Sequence, residues 1–457
     1  MAGGTWNRLV GKERPGTYIN FATTERNIVG IGERGIVLLP LLNYCYGPVG
    51  EFITIENSAP DANYSKLGYS VYEPPLLLVK EALKCAKKVI VYIPAGGTAA
   101  TAQVTQEDGP AITAEAKYTG ERGNALSFDC VANEENGYDV TVYLDNAVME
   151  VFEELNSIGD LIAAGSEWLK FSGDKSTELS DFSAVSLAGG TNGKATTLEM
   201  TKFLDASEAQ VWNTMAFPVD SKEDSSLLTA LVSKIKYLRE DVGKYRKAVV
   251  ADYVCDYEGI INVANSYTLS DGTALTHAQA TAWVAGADAG ADCVTSNTYK
   301  VVEDAADIVD LFSHAEAVAA IKAGKFFFSF NEKTQVAVEY DINSLTSYND
   351  GKKAQSWRKN RVLRVLDAFG ESCQVNFPPN KYDNDDDGWN IMESIGKTIL
   401  KLYGPRSEGG IGAIRNVDFD KDFLVDRELS HGDETYFNVG IQPVDSAEKL
   451  FFTITTR

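Results

Sequence analysis

The alternation of predicted strands and helices is interrupted once, and this interruption most constrains the fold. A strand at 35–41, a helix at about 75–86 and a buried strand at 88–93 open an α/β layer. Short alternating runs with Gly, Asn and Asp turns then occupy positions 98–190. A strand, a helix and a second strand follow between 211 and 253, a pattern that predicts a right-handed crossover into a parallel sheet. The sequence therefore predicts a multidomain mixed α/β (α+β) protein with a mostly β insert.

The last quarter of the chain forms a third predicted unit. It contains a basic helix at about 354–370, an acidic loop, a helix at about 389–403 and strands up to the end. The predicted domains are 1–24 together with 349–457, 25–97 together with 191–348, and the insert 98–190.

Composition narrows the class of function. A hydrophobic fraction of 44% and a charged fraction of 23% are typical of a soluble globular protein. The net charge of −23 argues against nucleic-acid binding, which needs basic surface. Apolar runs fall short of the roughly 18 residues that span a bilayer, and the first residues lack the pattern of a signal peptide. We therefore expect no nucleic acid and no membrane as partners, and six dispersed cysteines that stay reduced.

Motifs for chemistry are weak, and the sequence predicts no catalytic residue, no cofactor and no metal. Residues 383–388 match the first half of a calcium-binding loop, but Ser394 stands where a bidentate Glu is needed. The favoured interpretation is a solvated turn whose last Asp caps the next helix, with structural calcium as the alternative. Residues 190–196 depart from a phosphate-binding loop at two positions. The three histidines lie far apart in the sequence and in no catalytic motif.

Both ends of the chain carry segments typical of strands. The last ten residues alternate without a following turn, so they predict either a strand paired within its own sheet or one that pairs with another chain. Residues 17–22 form a second alternating segment after a turn, and we interpret it as an arm.

One basic cluster stands out in the acidic chain. Its members are Lys352, Lys353, Arg358, Lys359, Arg361 and Arg364. The cluster predicts either a solvated helix face or a docking surface for an acidic partner.

Nine short segments, in this order along nearly the whole chain, resemble the contractile phage tail sheath proteins. They are RPGTYI (14–19), GIV (35–37), YGPVG (46–50), GERGNAL (120–126), AWVAGADAG (282–290), SNTY (296–299), INSLT (342–346), GIQPVD (440–445) and EKLFFTI (448–454). No segment is specific alone, and their order carries the resemblance.

The resemblance implies a structural subunit, not an enzyme. Such subunits form a helical homo-oligomer of stacked hexameric rings around an inner tail tube protein, between baseplate and tail terminator proteins, and the sleeve contracts. The particle would be a virion or a phage-tail-like particle assembled in the bacterial cytoplasm. The units 1–24 with 349–457, 25–97 with 191–348, and 98–190 would be its inner, middle and outer domains.

The resemblance also implies roles for named residues. Terminal arms would add strands to neighbouring subunits, and the sheet that receives them would lie after Tyr348. The predicted arm residues are Thr17, Tyr18, Ile19, Asn20, Phe21, Leu450, Phe451, Phe452, Thr453 and Ile454. The predicted contacts to the tube are Arg358, Lys359, Arg361 and Arg364.

Two other classes remain as alternatives. An α/β enzyme would bind a small ligand in a cleft between the two halves of the middle domain, which accounts for the fold pattern but not for the arms. A secreted β-module protein is disfavoured by the missing signal peptide and the dispersed cysteines.

Overall fold

A seven-stranded sheet lies at the centre of the molecule. The computed structural model describes residues 2–4, 16–18, 34–106, 109–133, 137–348 and 353–456. The first elements in chain order are β1 (Ala2–Gly4), β2 (Gly16–Tyr18), β3 (Ile36–Pro40), β4 (Phe52–Glu56), α1 (Tyr64–Leu67), α2 (Leu77–Leu83) and β5 (Lys88–Tyr92). The predicted first strand, helix and buried strand are thus confirmed.

The predicted insert is built from β-strands, as expected. Its elements are β6 (Thr101–Gln106), β7 (Gly109–Ala116), β8 (Leu126–Ala132), β9 (Tyr138–Leu144), β10 (Ala147–Leu155), α3 (Ile158–Ala164), β11 (Leu169–Ser172) and β12 (Phe182–Ser186). The strands form one sheet of order β10-β9-β8-β12 and a second of order β11-β7-β6. Phe128 packs edge-on against Phe171 and Phe182, with ring centroids 5.5 and 5.4 Å away.

The segments by which the chain enters and leaves the insert lie next to each other. Thr98 N donates to Thr191 O at 3.1 Å, and Thr191 N donates back to Thr98 O at 3.3 Å. A side chain at Gly97 would place its Cβ only 1.7 Å from the Thr191 carbonyl oxygen. Only glycine permits this approach of two backbones.

After the insert, the α/β pattern resumes and completes the central sheet. The elements are α4 (Thr197–Ala206), β13 (Thr214–Ala216), α5 (Ser225–Glu240), β14 (Lys247–Ala251), β15 (Ile260–Val263), β16 (Ser266–Leu269), α6 (His277–Gly290), β17 (Ala305–Val309), α7 (His314–Lys322), β18 (Lys325–Phe326), β19 (Phe328–Phe330) and β20 (Val336–Val338). The sheet order is β18-β15-β14-β13-β3-β5-β4. β13 and β14 pair in parallel across α5, as predicted.

Alternating side chains of the central strands build a core on each face of the sheet. Val37 and Leu39 of β3 pack with residues of α2 and α6, whereas Ile36 and Leu38 pack with residues of α4 and α5. A Cβ at Gly286 of α6 would lie 2.3 Å from the carbonyl oxygen of Ala82 in α2. The two helices therefore approach each other closely at a glycine.

The last unit has its own core and two short strand pairs. Its elements are α8 (Asn360–Asn376), α9 (Asp386–Tyr403), β21 (Ile414–Arg415), β22 (Phe423–Val425), β23 (Phe437–Val439) and β24 (Gln442–Pro443). β21 pairs with β24, and β22 pairs with β23, both antiparallel. Both predicted helices exist, although the basic segment begins as a 3-10 turn at Gln355–Arg358.

Candidate assembly surfaces and the domain junction

The C-terminal tail, residues 449–456, lies beyond the last strand and has no regular secondary structure. Its bulky apolar side chains are among the most exposed of the described residues: Leu450 at 66%, Phe451 at 92%, Phe452 at 81% and Ile454 at 88%. Contiguous exposed apolar side chains typically mark an interaction site. In the single chain the predicted terminal strand is therefore unformed, and no described segment pairs with it.

The base of this tail is fixed by Glu448. Ser296 Oγ and Thr298 Oγ1 each donate a hydrogen bond to Glu448 Oε1 at 2.8 Å. The Lys359 ammonium contacts the other carboxylate oxygen, and it also lies 4.2 Å from the ring centroid of Tyr340. The tail thus starts from a nearly buried ionic contact.

The N-terminal arm is described only in part. Gly16–Tyr18, which includes Thr17 and Tyr18, pairs in parallel with Ala2–Gly4 of the same chain. Ile19, Asn20 and Phe21 lie outside the described residues. The assignment of this arm to a neighbouring chain stays a prediction.

Arg364 of the basic cluster lies at the centre of a buried charged network, which we call the junction network. Its guanidinium donates to Asp288 Oδ1 at 2.6 Å and to Asp341 Oδ2 at 2.9 Å. Lys247 Nζ donates to the same Asp288 oxygen at 2.7 Å and to Asn360 Oδ1 at 3.0 Å. The network joins β14 and α6 of the central unit to α8 of the last unit.

Burial and charge oppose each other in the junction network. Burial alone would raise the pKa of Asp288, but the positive charges of Lys247 and Arg364 outweigh it and hold the pKa well below its usual range. Burial lowers the pKa of Lys247. Every charge in this network therefore depends on a partner, because a buried ion without one is costly.

A second contact ties the same two units together. Arg239 of α5 donates to both carboxylate oxygens of Asp367 in α8, at 3.0 and 2.6 Å. Both side chains are almost fully buried. Such a two-point contact fixes orientation as well as distance.

The prediction of a solvated basic helix face is wrong. Arg364 is 0% exposed and Lys359 is 4% exposed. Arg358 donates to the Ile321 carbonyl oxygen at 2.6 Å, and Arg361 donates to Ser446 Oγ at 2.7 Å. The physical reason is that the fold surrounds these side chains with carbonyl, hydroxyl and carboxylate oxygens from distant parts of the chain. Lys352 lies outside the described residues. In this conformation Arg364 has no surface to offer a tube, and tube contact by the other three stays a prediction.

The acidic loop before α9 caps that helix, but through another residue than predicted. Asp385 Oδ1 accepts a hydrogen bond from Gly388 N at 2.8 Å, and α9 begins at Asp386. The cap is therefore Asp385, not the last aspartate, Asp387. Within the described residues no group of three or more His, Cys, Asp or Glu side chains is arranged to hold a metal ion, and no helix is long and apolar enough to cross a membrane.

A cavity of about 730 Å³ lies between the two halves of the central unit, where the enzyme hypothesis predicts a cleft. It opens at the carboxyl ends of β3 and β13, where strand order reverses. Several polar side chains in its lining already cap helices. Thr196 caps α4, Asp224 caps α5 and Thr276 caps α6.

Sequence reasoning named none of the residues that meet Arg364 in the junction network as its partners. Lys247 opens a strand whose residues are all buried, and Asp288 lies in the buried, Ala-rich helix α6. A charged residue inside such a run signals a buried ion pair, because it cannot remain there alone. The same signal was absent for Glu448, which precedes an exposed segment.

Four family models of phage tail sheath proteins match the chain in succession. They are the tail sheath protein Gp18 domain III N-terminal region at 34–92, the beta-sandwich domain at 95–192, the central domain at 193–344 and the C-terminal domain at 352–457. The chain belongs to the phage tail sheath protein family. Membership makes it a structural sheath subunit, which the colinear segments had predicted.

Relatives match over almost their full length. The phage-like element PBSX protein XkdK of Bacillus subtilis (strain 168) is 34% identical over 99% of both chains. The crystal structure of a sheath tail protein from Desulfitobacterium hafniense has a TM-score of 0.82 and 35% identity, over 95% of this chain and 98% of that one. The helical sheath of the anti-feeding prophage in its contracted state shares the fold at 12% identity and a TM-score of 0.54, over 98% and 100%.

Proposed function

We propose that this chain polymerises as a helical sleeve around an inner tail tube, and that the sleeve contracts to drive the tube through a bacterial envelope. Neighbouring subunits are joined by strand addition from the terminal arms. The observation that carries this proposal is the C-terminal tail, whose apolar side chains lie exposed in the single chain. In this role the protein is not an enzyme.

Free strand edges are available to receive the arms. β22 and β23 pair only with each other among the described residues. On the outer side of β22, Val425 N already donates to Glu393 Oε1 at 3.1 Å, so β23 keeps the freer backbone edge. β22 is held in place from behind, because a Cβ at Gly396 of α9 would lie 2.0 Å from the Phe423 ring. An added strand forms several backbone hydrogen bonds of about 0.5–1.5 kcal/mol each. Such a link is strong enough to persist while weaker contacts exchange.

The contacts inside one subunit are suited to a part that moves as a unit. The junction network and the Arg239–Asp367 pair fasten the last unit to the central sheet. A head-to-tail contact that does not close builds a helix, and a lattice of identical contacts can hold a metastable extended state. Contraction then requires no nucleotide.

The proposed role as a sheath subunit also defines the other proteins that the chain would contact. The sleeve consists of stacked hexameric rings, bounded by baseplate and tail terminator proteins, in a virion or phage-tail-like particle assembled in the host cytoplasm. Residues 1–24 and 349–457 face the tube, and the insert at 98–190 faces outward. The tube is contacted by the parts of Arg358, Lys359 and Arg361 that stay exposed after the neighbouring subunits have assembled.

Removing the tail tests the proposal. A chain lacking residues 450–457 should stay a folded monomer, because the removed side chains touch little of the subunit, and should form no tubes. The measurement is negative-stain electron microscopy of concentrated protein, with and without the tube protein, beside a urea unfolding curve. A second variant keeps the full length of the chain but carries Ser and Gly at 450–454, and it should also form no tubes. Normal tubes from either variant would contradict the proposal.

A further inference from the structure

The place where the C-terminal tail leaves the subunit is unusually well fixed. The side chain of Glu448 is only 10% exposed, and its carboxylate is shared among Lys359, Ser296 and Thr298. Lys359 belongs to the last unit, where it directly precedes α8, whereas the two hydroxyls belong to a loop of the central unit. A single carboxylate therefore ties the tail to both units.

The order of the chain changes abruptly at this carboxylate. On its amino-terminal side, Val444 N donates to the Ala413 carbonyl oxygen at 2.8 Å, Ser446 accepts from Arg361, and Asp445 lies 3.9 Å from Lys359. On its carboxyl-terminal side, the exposed apolar tail begins within two residues. Glu448 is thus the last described residue of the chain that a side-chain ion pair or hydrogen bond holds to the body.

We propose that Glu448 is a positioning residue for assembly: its contact with Lys359, Ser296 and Thr298 sets the origin and direction of the arm that pairs with a neighbouring subunit. This role rests on the proposed function, because Glu448 would set how readily the arm reaches a neighbouring subunit. A tethered strand finds its acceptor at an effective concentration that depends on the free length of its tether. Without the Glu448 contact, the next anchor is the hydrogen bond from Arg361 to Ser446, two residues earlier in the chain. The free tether therefore lengthens and the arm spreads over more directions.

The test uses the full chain with Glu448→Gln, which keeps the shape and the ability to accept from both hydroxyls but removes the charge. The matched control is Glu428→Gln, an exposed glutamate of the same unit. We expect the critical concentration for tube formation to rise about tenfold for E448Q, which corresponds to about 1.4 kcal/mol, and to stay unchanged for E428Q. Hydrogen exchange of the monomer should quicken at 445–449. The urea midpoint of K359M/E448Q, which leaves neither charge buried without its partner, should stay close to that of the wild type.

A double-mutant cycle on Lys359 and Glu448 distinguishes a positioning role from a general loss of stability. If the two residues act as one contact, K359M and K359M/E448Q should weaken assembly about as much as E448Q alone. Additive effects, or an E448Q chain that assembles like the wild type, would overturn the positioning role. Failure of this inference differs from failure of the proposed function, which would appear instead as normal tubes from the chain lacking 450–457.

Discussion

The junction network and the C-terminal tail differ in whether a single chain provides the contacts that their side chains need. At the junction, Arg364 is fully buried and finds both of its carboxylates, on Asp288 and Asp341, within the same chain. In the tail, Phe451 and Phe452 remain 92% and 81% exposed. The chain thus supplies the charged partners of its own junction, whereas the tail, which we propose pairs with a neighbour, has no partner in the single chain. Stability of the monomer and assembly of the polymer should therefore respond to different residues.

The largest effect on the monomer should come from Arg364→Ala. It leaves Asp341 buried without its cation and Asp288 with Lys247 alone, and breaking a buried pair costs about 3–5 kcal/mol. Urea unfolding followed by circular dichroism measures the loss. The control Arg415→Ala removes an exposed arginine of the same unit and should change the free energy of unfolding by less than about 0.5 kcal/mol. Equal effects of the two substitutions would remove the distinction between junction and surface.

Replacing Phe451 and Phe452 by Ser should give the opposite pattern. Each ring that a neighbour buries contributes about 1.5–3 kcal/mol to assembly, so the critical concentration for tubes should rise steeply. The urea midpoint of the monomer should not move, since both rings are exposed in the single chain. Val254→Ser, at a side chain 77% exposed outside the tail, is the control. A lower midpoint for the tail variant would mean that the tail packs on its own subunit.

The smallest effect should come from a half-buried ion pair. His277 Nδ1 lies 2.6 Å from Asp252 and Nε2 lies 3.0 Å from Asp310. The hydrogen bond to Asp252 raises the pKa of His277 against the opposing effect of burial. A pKa raised on folding gives stability that is present below the unfolded value of about 6.5 and is lost as pH rises through the folded value.

His277→Gln should remove this dependence. The difference in unfolding free energy between wild type and variant should be below about 1 kcal/mol, present at about pH 5.5 and absent at about pH 9. A wild-type advantage that grows with pH would contradict the assigned sign.

Local patterns were enough to predict much of the fold. β8 and β9 match the predicted bounds because alternating polarity fixes a half-buried strand residue by residue. The partners of Arg364 could not be predicted, because Asp288 and Asp341 meet it only after the chain has folded. The tail shows a third case: its sequence favours a strand, yet a strand needs a partner that one chain does not supply.

The two crossings into the insert lie side by side, hydrogen-bonded through Thr98 and Thr191. A segment whose ends meet in this way can be exchanged as a cassette, since the path of the remaining chain does not change. Under the proposed outward placement of the insert, the outer face of the particle is free to diversify, or to be rebuilt with a foreign domain of equally close ends, while the central sheet keeps its register.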